Sequence, residues 1–211
     1  MFKDRKDAGR KLAARLMQYK GKDAIVFAIP KGGVEVGYEV ARALDAPFSA
    51  LVVRKLPFPN DPEAGFGAIA EDGSAILLEG AASWLSQDTI EWIKTEQIRE
   101  IKRRVAVLRS DRPLPGIAEK TVILVDDGLA MGSTMLAAVT YCRNKKAAKI
   151  IVAVPIAGEE AARLVDEAAD MIVVLEKPAY FRAVAQGYEN WYDVPDEEAA
   201  GILKTYNQPI I

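Results

Sequence analysis

The 211-residue chain has no histidine and a single cysteine, Cys142. Without an imidazole, Ser-His-Asp and Cys-His nucleophilic sites and His-ligated zinc are excluded. One cysteine cannot close an intrachain disulfide, which fits a reducing compartment, and Cys142 falls inside a helical stretch where a thiol usually packs. The longest apolar runs, such as residues 150–157, fall far below the roughly 20 residues that span a bilayer. The opening MFKDRKDAGRKLAARL is charged from its third residue and has no signal-peptide apolar core, so a cytoplasmic protein is expected. A formal charge of -2 and a pI of about 5.4 leave no electrostatic footprint for nucleic acid or an anionic membrane. Neither G-x-G-x-x-G nor G-x-x-x-x-G-K-[ST] occurs, which takes away the main support for dinucleotide binding and for a P-loop. No repeat, low-complexity tract or linker divides the chain, and half of it is apolar, enough for a full core.

What is present converges on TVILVDDGLAMGST, residues 121–134. Val122, Ile123, Leu124 and Val125 read as a strand buried on both faces, and it stops at two adjacent carboxylates, Asp126 and Asp127. A loop containing Gly128, Gly132, Ser133 and Thr134 then leads into a helix. A strand, a glycine-containing loop and a helix N-terminus aim several backbone N–H groups at one spot, where the helix dipole favours an anion. Carboxylates beside a bound phosphate would repel it unless they have other work. Such a pair can accept hydrogen bonds from sugar hydroxyls or help hold Mg²⁺ against a phosphorylated ligand, so the inferred ligand is a sugar phosphate.

The surrounding pattern alternates strands and helices and predicts an α/β sandwich. A helix is expected over 7–19, a strand over 24–29, and then the loop Lys31-Gly32-Gly33, where two glycines permit close approach and the lysine supplies a point charge. A helix over 34–44 and a strand over 49–53 follow. Arg54 and Lys55 open a stretch whose Pro57, Pro59 and Pro62 predict a long irregular loop, mobile over 54–66. A hairpin over 65–79 turns at Asp72-Gly73, and a long helix ends near 109 with Arg99, Lys102, Arg103 and Arg104 on an exposed face. After the central motif come a strand over 150–154, a helix over 159–169 and a strand over 171–175. The tail gathers Tyr180, Phe181, Tyr188, Trp191 and Tyr192, most of which should pack.

The apolar strand, the two aspartates and the Gly/Ser/Thr loop resemble the phosphoribosyl pyrophosphate (PRPP) loop of type I phosphoribosyltransferases. Phe2 to Gly9, as FxDRxxAG, and Val53 to Lys55, as VRK, resemble the subgroup of predicted phosphoribosyltransferases of unknown acceptor. The resemblance covers most of the chain. It implies one domain over 1–211 with a three-layer α/β/α sandwich, a mostly parallel sheet in which one strand can be antiparallel, and a small hood from parts of 54–80 and 176–211. It implies an enzyme that binds PRPP and moves phosphoribose to a nitrogen nucleophile, a small-molecule acceptor of nucleobase type, with release of pyrophosphate and dependence on Mg²⁺. Gly128, Leu129, Ala130, Met131, Gly132, Ser133 and Thr134 would hold the 5′-phosphate, and Lys31, Gly32 and Gly33 the pyrophosphate, with a strained or cis peptide near Lys31. Asp126 and Asp127 would take the ribose and the metal, Arg54 and Lys55 would assist catalysis, and Tyr180 and Phe181 would stack on the base. A homodimer is compatible with the family; nucleic acid and membrane are not expected partners.

The chain also departs from the family. Met131 stands where a threonine hydroxyl is common, and Ala130 where hypoxanthine-guanine enzymes carry a ring-proton aspartate, which leaves the base class open. Two other readings stand beside this one. A PRPP- or nucleotide-binding regulator without turnover shares the fold but lacks any DNA-binding segment here. A phosphohydrolase has less support, because its acids are usually separated by one residue.

Overall fold

The computed structural model describes residues 1–206, apart from the side chains of Glu63 and Glu79. The end of the expected hood segment, 207–211, and the Glu63 carboxylate lie outside the described residues. In order, the chain forms α1 (Arg5–Leu16), β1 (Ala24–Ala28), α2 (Gly32–Leu44), β2 (Phe48–Ala50), β3 (Val53–Phe58), β4 (Asp61–Ala70), β5 (Ala75–Leu77), α3 (Glu79–Ala82) and α4 (Gln87–Arg109). Then come β6 (Thr121–Val125), α5 (Ser133–Asn144), β7 (Lys149–Ile156), α6 (Glu159–Ala168), β8 (Met171–Glu176) and α7 (Asp196–Tyr206).

A five-stranded sheet in the order β2-β1-β6-β7-β8 is parallel at every pairing. Its central strands β1, β6 and β7 are nearly continuous apolar runs because both faces are covered. Alternate side chains divide between two cores. Val26, Ile123, Val125 and Ile151 pack with Leu12, Val36 and Val40 of α1 and α2, whereas Phe27, Val122, Leu124 and Val152 pack with Met135, Ala138 and Val165 of α5 and α6. That is the three-layer sandwich the sequence predicts. No helix among the described residues is long and apolar enough to cross a membrane.

The antiparallel pairing lies in a second, three-stranded sheet, β3-β4-β5. Here one expectation is corrected. Residues 54–66 are not an irregular loop but most of a hairpin: Pro57 lies on β3, an edge strand, Pro59 lies in the turn, and Pro62 lies on the part of β4 before its pairing with β5 begins at Gly67. The hairpin's register slips on either side of Pro57, so the ring is accommodated by an irregularity and not by breaking the ribbon. The expected strand over 49–53 is likewise divided, ending at Ala50 in one sheet and restarting at Val53 in the other. The turn expected at Asp72-Gly73 is present, with Gly73 at φ 87.

The N-terminal segment also pairs with the stretch after β8. Phe2 bridges Tyr188, with Phe2 N–H donating to Gly187 O at 2.7 Å and Glu189 N–H to Phe2 O at 2.8 Å. Asp4 caps α1 by accepting from the Asp7 N–H at 2.7 Å. α1 therefore starts beside the tail, and its first residue, Arg5, is directed toward the sheet.

Candidate active site

β1 and β6 are neighbours in register, with Ala28 opposite Val125, and their C-terminal loops leave side by side. From β1 the chain returns to β2 on one side, and from β6 it goes to β7 on the other, so the crevice at their ends is the switch point of the sheet. The expected adjacency of the Lys31 loop and the acidic pair is thus observed, and the Pro30–Lys31 peptide is cis.

A cleft of about 390 Å³ opens at this point. Lys31, Gly32, Asp126, Asp127 and Thr134 form its floor, and Arg54, Lys55 and Arg104 one wall. The other wall is Arg5, Val184, Trp191, Asp193 and Val194. Bases outnumber acids, which suits a polyanionic ligand. A larger groove of about 990 Å³ runs between Phe48, the end of α4 and α7, and includes none of the residues expected at the site.

Gly33 is buried behind the acidic pair, where a Cβ would lie 2.9 Å from the Asp126 Cα. Gly32 is tighter still. A methyl group there would overlap Asp127 Oδ2 and come within 2.8 Å of Arg5 Nε, so only glycine lets the loop approach the aspartates.

The loop after β6 is tied on both sides of Leu129, whose N–H donates to Ile156 O at 2.9 Å and whose carbonyl accepts from Gly158 N–H at 3.0 Å. Gly128 is buried under Val184, while Ala130 and Met131 face solvent. Gly132 sits at φ 82 as the N-cap of α5, a left-handed position that favours glycine. Among the described residues no side chain caps this helix, so its first N–H groups are left for another acceptor. Ser133 is buried, and Thr134 is the residue of 128–134 that lines the cleft.

Asp126 Oδ1 accepts the Asp127 N–H at 2.8 Å. Burial, reinforced by the Asp127 charge, raises the Asp126 carboxyl well above the usual range. Burial also raises Asp127, but there the Arg5 guanidinium opposes the shift. Arg5 Nε donates to Asp127 Oδ2 at 2.8 Å, and Tyr188 Oη donates to the Asp127 carbonyl at 2.6 Å. Arg54 Nε donates to Gln97 Oε1 at 3.1 Å, and burial holds its pKa below the usual arginine value.

Two basic residues of the cleft escaped the sequence reading. Arg104 was grouped with the exposed bases of α4, yet its side chain is only 16% exposed. The signal was present: Arg104 lies three residues after buried Ile101 and four before buried Leu108, on the inward stripe. Arg5 stood within FxDRxxAG with no role, and no local spacing discloses a partner 122 residues away. Tyr180 and Phe181 are not among the residues that line this cleft; Tyr180 is 89% exposed and Phe181 packs on Gly158 and the Ile156 cluster. Trp191 is the aromatic residue on the cleft wall.

The phosphoribosyl transferase domain model matches residues 2–188. The chain belongs to the phosphoribosyl transferase family. A Mycobacterium tuberculosis protein named "Putative phosphoribosyl transferase Rv0571c" is 40% identical over 96% of this chain and 46% of its own length, so the chain spans about half of that relative. The crystal structure of TT1426 from Thermus thermophilus superposes with a TM-score of 0.83 at 33% identity, covering 98% of this chain and 99% of that one. The Giardia lamblia APRTase, solved with 9-deazaadenine, shares the fold at a TM-score of 0.50 and 17% identity, over 83% of this chain and 80% of its own.

Proposed function

We propose that the cleft binds PRPP and transfers its phosphoribosyl group to a nitrogen nucleophile, most simply a nucleobase. The observation that carries this reading is the meeting of the Lys31 loop and the acidic pair in one base-rich cleft at the sheet's switch point. Asp126 and Asp127 accept hydrogen bonds from the ribose hydroxyls, and the backbone of 128–134 receives the 5′-phosphate at the uncapped end of α5. Lys31, Gly32 and Gly33 take the pyrophosphate, with Arg54, Lys55 and Arg104 facing it. The acceptor nitrogen bonds to the anomeric carbon as the C–O bond to pyrophosphate breaks. The leaving oxygen keeps the electron pair, and the acceptor's N–H proton passes to water. Catalysis in this reading is positioning plus stabilisation of the leaving group. Trp191 on the cleft wall offers an exposed ring edge to the base, its face being covered by Arg5.

Among the described residues no three His, Cys, Asp or Glu side chains gather as a metal site. Mg²⁺ commonly binds through one or two carboxylates plus substrate phosphates and water, so Asp126 and Asp127 fit an ion shared with the ligand. Held there, it would supply charge neutralisation for the departing pyrophosphate. In the same proposal the chain is one domain, hooded by parts of 54–80 and 176–211.

The test is pyrophosphate release from PRPP across a panel of purine and pyrimidine bases. Base-dependent release supports the transferase. PRPP binding with no release on any base favours a ligand-sensing regulator, and release of phosphate from generic phosphoesters favours a hydrolase.

A further inference from the structure

Arg5 is 3% exposed, and its surroundings are more elaborate than a helix start needs. Its Nε donates to Asp127 Oδ2 at 2.8 Å and one Nη to the Tyr192 carbonyl at 2.9 Å, while Glu35 Oε2 stands 3.6 Å away with no hydrogen-bond partner among the described residues. The guanidinium lies over the Trp191 ring, 4.0 Å from its centroid, with Tyr192 at 5.4 Å and Tyr188 at 5.9 Å. A planar cation held by an indole, a carbonyl and carboxylates has little rotational freedom. Its Nε–Oδ2 bond fixes one oxygen of Asp127, and the Tyr188 hydroxyl fixes the same residue's carbonyl.

We propose that Arg5 is a positioning residue. Stacked on Trp191 and bonded to Asp127, it holds that carboxylate in the orientation the ribose of PRPP requires and makes Trp191 report on occupancy of the site. This rests on the PRPP reading above. An arginine that only fastened the N-terminal segment to the tail would act equally well from the tail's outer side. Arg5 instead lines the cleft and touches the carboxylate assigned to the sugar. Lysine can keep the charge but neither the planar stack nor the directed Nε bond.

The experiment uses the full chain with Trp84→Phe and Trp92→Phe, both on exposed positions away from the cleft, so that emission comes from Trp191 alone. PRPP with Mg²⁺ is titrated by calorimetry and by fluorescence in this background, in Arg5→Met and in Arg5→Lys. Ligand binding should shift Trp191 emission in the Arg5 protein, and Arg5→Met should weaken binding roughly tenfold or more, the scale of a charge-assisted hydrogen bond. Arg5→Lys should regain only part of that loss. If Arg5→Met does not fold, Trp191→Leu, which removes the stack and leaves the ion pair, should weaken PRPP binding several-fold. Unchanged affinity in the folded variants, together with silent Trp191 emission on binding, overturns the positioning role while leaving the PRPP reading intact. No PRPP binding by the parent protein overturns both.

Discussion

The cleft has two sides of different origin. Its floor is made where β1 and β6 end, from short motifs that each occupy a few consecutive residues. The wall bearing Arg5 and Trp191 is made from the start of α1 and the segment between β8 and α7, with contacts such as Arg5 to Tyr192 bridging 187 positions. The floor's chemistry is local and follows from strand, glycine and helix start. The wall's chemistry exists only after the sheet has brought these segments together. A site can thus have a legible half and a hidden half, joined here by the hydrogen bond from Arg5 to Asp127 and by the packing of Val184 on Gly128.

The largest effect should come from crowding that contact. Gly32→Ala places a methyl group onto Asp127 Oδ2 and beside Arg5 Nε, and must displace both sides at once. PRPP affinity measured by calorimetry should fall roughly 10²-fold, the scale of an ångström-level misplacement. Full affinity in a folded Gly32→Ala protein would show that the two sides do not meet as described.

Tyr188→Phe separates the sides more gently. It removes the hydroxyl that donates to the Asp127 carbonyl and leaves that acceptor short of a partner. Urea denaturation should show a loss of about 1–3 kcal/mol, accompanied by weaker PRPP binding. A stability loss with unaltered PRPP affinity would mean that the tail supports the fold and not the floor.

The order of legibility follows from the same comparison. The parallel sheet, its central strand and the acidic pair were readable because runs such as TVILV are continuous only when both faces are buried. The Pro57 region misled because prolines argue against a strand in general, whereas an edge strand with a slipped register accepts them. Tyr180 and Phe181 were the first aromatics of the tail and looked suited to a base. The bridge from Phe2 to Tyr188 instead brings Trp191 to the cleft, a tertiary event with no local signature. Arg104 was recoverable from its helical spacing, and Arg5 was not.

The smallest expected effect lies on α4, where the ion pairs are mostly solvated. Hydrogen bonding to Arg103, then to Arg104, holds the Glu100 carboxyl down at about 2, below its ordinary 4.5. A depressed carboxyl contributes stability that is present above the unfolded value and is lost as pH falls through the folded one. Thermal unfolding should therefore show the Glu100 contribution intact at neutral pH and declining from about pH 4.5 toward 2, with Glu100→Gln lacking that component. Because the Arg103 side chain is 52% exposed, the difference should stay below about 1 kcal/mol. A larger one would mean that Glu100 acts mainly through half-buried Arg104 on the cleft wall.

The most direct test of the central claim is calorimetric titration of PRPP with Mg²⁺ into the unmodified protein, into Asp127→Asn and into Asp126→Asn. An amide cannot replace the carboxylate toward ribose hydroxyls or the ion. Asp127→Asn should therefore lose roughly ten- to hundredfold in affinity, about 1.5–3 kcal/mol, and Asp126→Asn less. PRPP binding unchanged in both variants would contradict the assignment of this cleft.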